Sequence, residues 1–308
     1  MSKDISLNFG NGKSDKLPIK TFTFDMFVEH PSIVMIAKRG SGKSWVVRAI
    51  LEYFRDIPVG LIISPTDKMS SFYGTFFPES YIHYEFKSEI IQKVMYRQGK
   101  IIDKKKDKNA HGTDIDTRCF VIMDDCLGQK GKWVNDPAIQ ELLFNGRHYH
   151  IMYILTMQFP LGITPQLRSN FDYIFLLADD FISNIKRMYE HYAGMFPNFD
   201  SFRQVFQQLT DDFGSMVIVN RGAKKTLFEK IYYYKAPSCD NISKKFGCQQ
   251  FRDFHENNFD KNWRRKKTEI NVDDMLARKK NKLFVEKIKP VDDNHSCVTQ
   301  KKRRGSIF

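Results

Sequence analysis

The sequence predicts an α/β fold: a mainly parallel central sheet with helices on both faces, closed by a C-terminal edge hairpin and followed by a basic tail. Three observations carry this. Five short runs, Ile33–Ile36, Gly60–Ser64, Cys119–Met123, Ile151–Thr156 and Tyr173–Leu177, are apolar at nearly every position, as expected of strands buried on both sides. The stretches between them are long enough for crossover helices. The first run leads directly into a small-residue loop and a helix, the arrangement of a strand feeding a phosphate site.

Residues 1–30 read as an N-terminal leader or edge segment. They are polar at first, then place Phe22, Phe24, Met26 and Phe27 in alternation, as an edge strand or a cover over the core. The loop after the first strand is Ala37-Lys38-Arg39-Gly40-Ser41-Gly42-Lys43-Ser44. Gly40, Ser41 and Gly42 let the backbone close around a β-phosphate so that successive N–H groups point at it. Lys43 is placed to reach the β/γ oxygens, and the Ser44 hydroxyl to hold Mg²⁺. Ala37 stands where the usual pattern has glycine and is small enough to make the turn. The helix expected from Trp45 to about Phe54 aims its positive end at the phosphates. The loop therefore points to a nucleoside triphosphate with magnesium.

The third run ends in Asp124-Asp125. A strand-end turn with two solvated acids is common in isolation. About 80 residues after a phosphate loop, the pair reads instead as chemistry: Asp124 holding the metal alongside Ser44, and Asp125 orienting or deprotonating the attacking water. Gln158, just past the fourth strand, is placed to sense the γ-phosphate. Arg147 precedes that strand and Arg168 follows it. Either could stabilise transition-state charge on a neighbouring subunit's nucleotide, with Arg147 preferred; its structural alternative is charge complementing a helix C-terminus.

Between the second and third strands, Lys100–Arg118 breaks the pattern with Lys104-Lys105-Lys106-Asp107-Lys108 and reads as an exposed loop. A helix is expected over Pro137–Phe144, with Asp136 as N-cap, Pro137 in the first turn and Gly146 past the end. Phe181–Phe196 has helical spacing, with Met188, Tyr189, Tyr192 and Met195 on a core stripe. Ser215–Asn220 and Leu227–Tyr233 flank Arg221-Gly222-Ala223-Lys224 and read as the edge hairpin. His148 and His150 alternate at the start of the fourth strand, so one should point inward.

The chain of 308 residues carries a net charge of +13. From 261 to 308 there are 15 Lys and Arg against 6 Asp and Glu, so most of the surplus sits in the tail, as a polyanion-binding arm or a solvated end. Cys119, Cys126, Cys239, Cys248 and Cys297 are odd in number and form no C-x-x-C pair, which argues against a disulfide framework or structural zinc. No apolar run approaches the ~20 residues of a spanning helix and no secretory pattern opens the chain, so a soluble chain made in the cytosol is expected.

In order along the chain, Ile36–Ser44, Leu61-Ile62-Ile63-Ser64-Pro65-Thr66, Ile122–Asp125, Asn145-Gly146-Arg147-His148-Tyr149, Leu155-Thr156-Met157-Gln158 and Leu167-Arg168-Ser169-Asn170-Phe171-Asp172 resemble the genome-packaging ATPases of large double-stranded DNA viruses, the poxvirus-type branch of the FtsK–HerA superfamily. The resemblance covers about residues 30 to 235. It implies an additional-strand P-loop sheet, with one strand between those carrying the loop and the acids. It further implies a homo-oligomeric ring, ATP and Mg²⁺ as ligands, and translocation of double-stranded DNA into a capsid, with capsid or portal-site proteins as further partners. The implied location is the site of virus assembly in an infected host cell, or the virion. By position, residues 37–44 bind nucleotide, Ser44 and Asp124 hold the metal, and Asp125, Gln158 and Arg147 become acid, sensor and finger. Many superfamily members carry glutamate at the position of Asp125. The expected organisation is a P-loop ATPase domain over 31–238 and a basic extension over 239–308. The rival readings are a helicase or remodelling ATPase of replication, a small-molecule phosphotransferase, for which an arginine-rich lid is missing, and a non-catalytic basic scaffold. Lys104–Lys108, Lys130, Lys132 and the tail are the candidate DNA-facing cations.

Overall fold

The structure, a computed structural model, describes residues 2–8, 14–109, 114–126, 133–222, 226–238 and 246–263. Met1–Phe259 forms one compact unit and Asp260–Phe308 a second, of which 260–263 are described. In chain order the elements are β1 (Ser2–Asn8), β2 (Ser14–Lys20), β3 (Ser32–Ile36), α1 (Lys43–Tyr53), β4 (Val59–Ile63), α2 (Asp67–Ser70), β5 (Ile82–His83), α3 (Ser88–Asn109), β6 (Cys119–Asp124), α4 (Pro137–Asn145), β7 (Ile151–Met157), α5 (Pro165–Arg168), β8 (Tyr173–Leu177), α6 (Ile182–Tyr192), α7 (Phe199–Leu209), β9 (Gly214–Val219), β10 (Ile231–Lys235) and α8 (Gln249–Asn258).

Among the described residues the main sheet has eight strands in the order β10-β9-β8-β3-β7-β6-β4-β5. Strands β3 to β8 run parallel, and β9 and β10 add an antiparallel edge. The five expected strands are all present, shifted by at most a residue or two. Successive side chains of a strand face opposite ways, and both faces are apolar. On one face lie Val34, Ile36, Val121, Met123, Tyr153 and Leu155, covered by α3, α4, α6 and α7. On the other lie Ile33, Met35, Phe120, Ile122 and Ile154, covered by Val46, Val47, Ile50 and Leu51 of α1 and Phe251 of α8. Gly60 is required on this second face: a Cβ there would stand 2.2 Å from the ring of Phe120, its partner across the β4–β6 ladder.

The N-terminal residues form a separate antiparallel pair, β1 with β2. It is held to α7 by Gln208, whose Nε2 donates to the Ser6 carbonyl at 2.7 Å and whose Oε1 accepts from the Ser6 N–H at 2.9 Å. Phe22 follows, with its N–H on the Tyr233 carbonyl at 2.7 Å, and its ring meets Phe27, Tyr173 and Phe175 edge-on at 5.2–5.7 Å. The edge strand β10 is thereby covered.

Three expectations are corrected. Lys100–Asn109 is not loop but the second half of α3. Lysine is a good helix former, and the helix is supported by contacts such as Lys106–Asp103 at 3.8 Å. The second hairpin strand is Ile231–Lys235 rather than Leu227–Tyr233, because Thr226 and Glu229 close a capping box around a short 3₁₀ turn at Leu227–Glu229. The helix expected over Phe181–Phe196 ends at Tyr192, and α7 follows as a separate helix capped by Asn198, whose Oδ1 accepts from the Ser201 N–H at 2.8 Å. The cap expected for α4 is present: Asp136 Oδ1 accepts from the N–H groups of Ala138 at 2.9 Å and Ile139 at 3.3 Å. Lys130, Lys132, Ala223, Lys224, Cys239, Cys297 and the basic run Lys301–Arg304 lie outside the described residues.

Candidate functional site

The phosphate loop begins where the β3 ladder ends, with the Ala37 N–H on the Met157 carbonyl at 2.9 Å. Gly40 and Gly42 take φ of +80° and +92°, which only glycine enters without strain. Ser41 braces the turn, its hydroxyl on the Lys38 carbonyl at 2.7 Å. The Gly42 carbonyl then accepts from Trp45 and Val46 at 3.0 and 3.2 Å and starts α1. Lys43 is thus the first helical residue, and the helix N-terminus opens onto the loop, a ready place for an anion. Lys38 is turned aside onto Asp180 at the end of β8, whose carboxylate holds the ammonium above its usual range.

Register brings the acids to this loop. On β6, Phe120 and Ile122 face α1, so Asp124 does too; its neighbour across the parallel ladder on β7 is Thr156. The Thr156 hydroxyl donates to Asp124 Oδ1 at 2.5 Å and accepts from the Asp125 N–H at 3.2 Å. Ser64, at the end of β4, donates to Asp124 Oδ2 at 3.3 Å. Asp125 lies in the left-handed region at φ +57°, and Gln158 Nε2 donates to its carboxylate. Lys43 Nζ stands 3.4 Å from Asp124 and 3.5 Å from Asp125, with all three side chains no more than 14% exposed. Behind them Tyr73 is buried, and burial together with the charges of Asp124 and Asp67 keeps its phenol neutral, its pKa pushed well above the ordinary value.

Lys43, Ser64, Tyr73, Asp124, Asp125 and Gln158 line one cavity of about 480 Å³, together with Lys38, Arg39, Gly40, Gly42, Ser44, Thr66 and Phe213. Ser44 and Asp124 are its candidate metal donors. The set is hydroxyl and carboxylate oxygen, the hard donor type that Mg²⁺ takes alongside phosphate. Among the described residues no cluster of His, Cys, Asp and Glu offers an all-protein metal cage, and Mg²⁺ bound with a nucleotide needs none. Arg147 is not brought here. It is exposed in the turn before β7, on a cavity with His30, Ser32 and Asp172 at the opposite end of the sheet. Arg168 lies away from the loop as well, its guanidinium 5.5 Å over the Tyr192 ring. Ser64, Thr156, Tyr73 and Phe213 received no role from the sequence. Thr156 and Ser64 do sit in strand-end strings that carry the resemblance, while Tyr73 and Phe213 give no local signal.

A parallel sheet with a phosphate loop after β3, paired acids at the end of β6 and one strand, β7, between them defines an additional-strand P-loop protein. No protein-family model matches the sequence. The chain is 47% identical over 242 residues to the uncharacterized protein L437 of Acanthamoeba polyphaga mimivirus, covering 79% of this chain and 84% of that one. It is 34% identical over 233 residues to protein 075L of Invertebrate iridescent virus 6, covering 75% and 87%. The chain belongs to this family of large DNA virus proteins. Among solved structures, the genome packaging NTPase B204 from Sulfolobus turreted icosahedral virus 2 in complex with ATP-gammaS is similar at 15% identity and a TM-score of 0.45, over 68% of this chain and 98% of that one. The pCW3 conjugation coupling protein TcpA is similar at 14% and 0.44, over 76% and 65%. Likeness of that degree is too distant to transfer an activity.

Proposed function

We propose that the chain is an ATP-hydrolysing motor that moves double-stranded viral DNA into the capsid. The observation that carries the hydrolytic half is the convergence of Lys43, Asp124 and Asp125 within 3.5 Å at the mouth of a phosphate loop. A loop alone binds phosphate; two carboxylates facing its lysine add a metal ligand and a base. In this reading Lys43 leaves the carboxylates for the β/γ oxygens when a nucleotide enters. Ser44 and Asp124 would hold Mg²⁺, which would supply charge neutralisation to the triphosphate. Asp125, steadied by Gln158, orients the attacking water and takes its proton as the bond to the γ-phosphorus forms. The bond to the β–γ bridging oxygen breaks, and ADP and phosphate leave. Loss of the γ-phosphate frees Gln158, and with it the Asp125 turn, to relax. Arg147 and Arg168 both lie away from this chain's own cavity, so in this reading either would act on a neighbouring subunit's nucleotide.

The DNA half of the proposal rests on membership of a large DNA virus family, on the order of motifs along the chain and on the positive surplus. Such cations grip phosphates without reading sequence. The test is ATP turnover with and without duplex DNA across a salt series, in wild type and Asp125→Asn. We expect stimulation by DNA that fades as salt rises, and turnover reduced roughly 100-fold or more in the variant, the usual contribution of a general base. Equally slow hydrolysis by both proteins rules the motor out. Strand separation accompanying turnover would favour a helicase.

A further inference from the structure

A second cavity, of about 270 Å³, adjoins the phosphate cavity and is lined by Gly42, Trp45, Phe213, Lys235, Ala236, Pro237 and the exposed Ser238. Gly42, Trp45 and Phe213 border both hollows. The two differ in chemistry. The first gathers cations, carboxylates and hydroxyls; the second is walled almost wholly by carbon. Its lysine is engaged elsewhere, Lys235 Nζ being paired with Asp212.

Phe213 is the unusual member. It is a bulky residue at φ +58°, following Asp212 at φ +49°, a conformation that non-glycine residues other than Asn and Asp seldom take. Its side chain is also exposed, at 61%. The folded chain gains little burial from holding an aromatic ring in strained backbone on its surface. What the conformation does is set the ring against the loop, about 3.5 Å from where a Cβ on Gly42 would stand. The Asp212–Lys235 pair fastens this turn to the end of β10. A ring held beside the phosphate loop and bordering an apolar hollow is what a flat heteroaromatic group needs for stacking.

We propose that this second cavity receives the base of the nucleotide whose phosphates the loop holds, that the base stacks on Phe213, and that the site accepts adenine and guanine with little distinction. The proposal rests on the phosphate-site reading above and adds the part of the ligand that reading leaves unassigned. Occupancy by a base follows from adjacency: the two hollows share Gly42, Trp45 and Phe213, so the second lies within reach of a nucleotide whose phosphates sit in the first. Tolerance between purines follows from the lining. A site rejects an analogue strongly when buried polar groups would be left unpaired, and the polar groups here are exposed or already paired. Stacking area favours purines over pyrimidines.

The test is calorimetric titration of the full chain, in magnesium, with ATP, GTP, CTP and inorganic tripolyphosphate. Wild type is compared with Phe213→Ala, Phe213→Leu and Lys43→Ala. ATP and GTP should bind wild type within about ten-fold of each other, as expected where no buried hydrogen bond discriminates, with CTP weaker. Phe213→Ala should weaken ATP and GTP roughly ten-fold, the usual order for loss of one base–aromatic stack, and leave tripolyphosphate unchanged. Phe213→Leu, which keeps apolar bulk without the ring face, should recover only part. Lys43→Ala should lose tripolyphosphate and ATP alike. If tripolyphosphate binds in a Lys43-dependent way while Phe213→Ala leaves ATP unaffected, the base site is overturned and the phosphate site stands. Full recovery by Phe213→Leu overturns stacking, and a preference between ATP and GTP above about 100-fold overturns purine tolerance. Tripolyphosphate binding indifferent to Lys43 overturns the phosphate reading itself.

Discussion

At the residue scale, the most consequential side chain with no titratable group is Thr156. One hydroxyl both orients Asp124 and accepts from the backbone of Asp125, so it sets both acids at once. Thr156→Val keeps the shape and leaves the buried Asp124 carboxylate short of a donor, a change that costs about 1–3 kcal/mol. We expect the variant to need more magnesium for half-maximal turnover and Thr156→Ser to restore the wild-type requirement; equal magnesium dependence in all three proteins would dismiss the role. His30 offers a second residue-level prediction. Its ring stacks on His150 at 4.9 Å, and burial, then the charge of His150, press its pKa from 6.5 down to about 4. Between those values the unfolded chain holds a proton that the folded chain does not. Stability therefore falls as pH drops through that window and is regained above 6.5. His30 also has φ +54°, which asparagine tolerates. Denaturant midpoints of His30→Asn at pH 7 and 4.5 should show a shallower decline than wild type, by on the order of 1–2 kcal/mol after allowance for solvent screening.

At the scale of elements, what could be read from the sequence was whatever a few consecutive residues encode. The five central strands announce themselves as apolar runs, the phosphate loop as small residues before Lys43, and α4 as Asp136-Pro137 before an apolar stripe. That last cap makes a local prediction: Asp136→Ala should destabilise the protein by about 1 kcal/mol, read as a lowered unfolding midpoint, with Asp136→Ser nearly neutral. What could not be read depends on distant partners. The second half of α3 reads as loop in the sequence because its lysines carry no apolar rhythm, although they suit a helix. The apolar pattern starts β10 too early because the Thr226–Glu229 box competes with the strand for the same residues. Within the site, Lys43 and Asp124 were legible as motif. Ser64 and Thr156 were not, because their work follows from the register of three parallel strands, which no short stretch specifies. Arg147 is expected to act on a neighbouring subunit's nucleotide, and its place before β7, at the opposite end of the sheet from this chain's own cavity, leaves that expectation standing as a proposal.

At the scale of the whole molecule, the placing of Arg147 makes the active unit larger than one chain if that residue completes a site. Arg147→Ala should then lose on the order of 10³-fold in turnover, as removal of such a finger does, without loss of nucleotide binding. Mixing it with the equally inactive Lys43→Ala should restore part of the activity, since an intact loop from one variant can meet an intact arginine from the other. Activity that stays at zero across all mixing ratios would remove Arg147 from the mechanism.

Strand β7 carries a candidate functional residue at each of its two ends. Gln158 touches the Asp125 turn just beyond its last residue, and Arg147 sits just before its first. Seven extended residues span about 23 Å, and a central strand bonded on both sides is among the stiffest parts a protein can make. If Gln158 senses this subunit's γ-phosphate and Arg147 reaches a neighbour's nucleotide, as proposed, such a strand would act as a push-rod: firing order around an assembly would be handed on by tilting whole sheets, with no flexible relay in between.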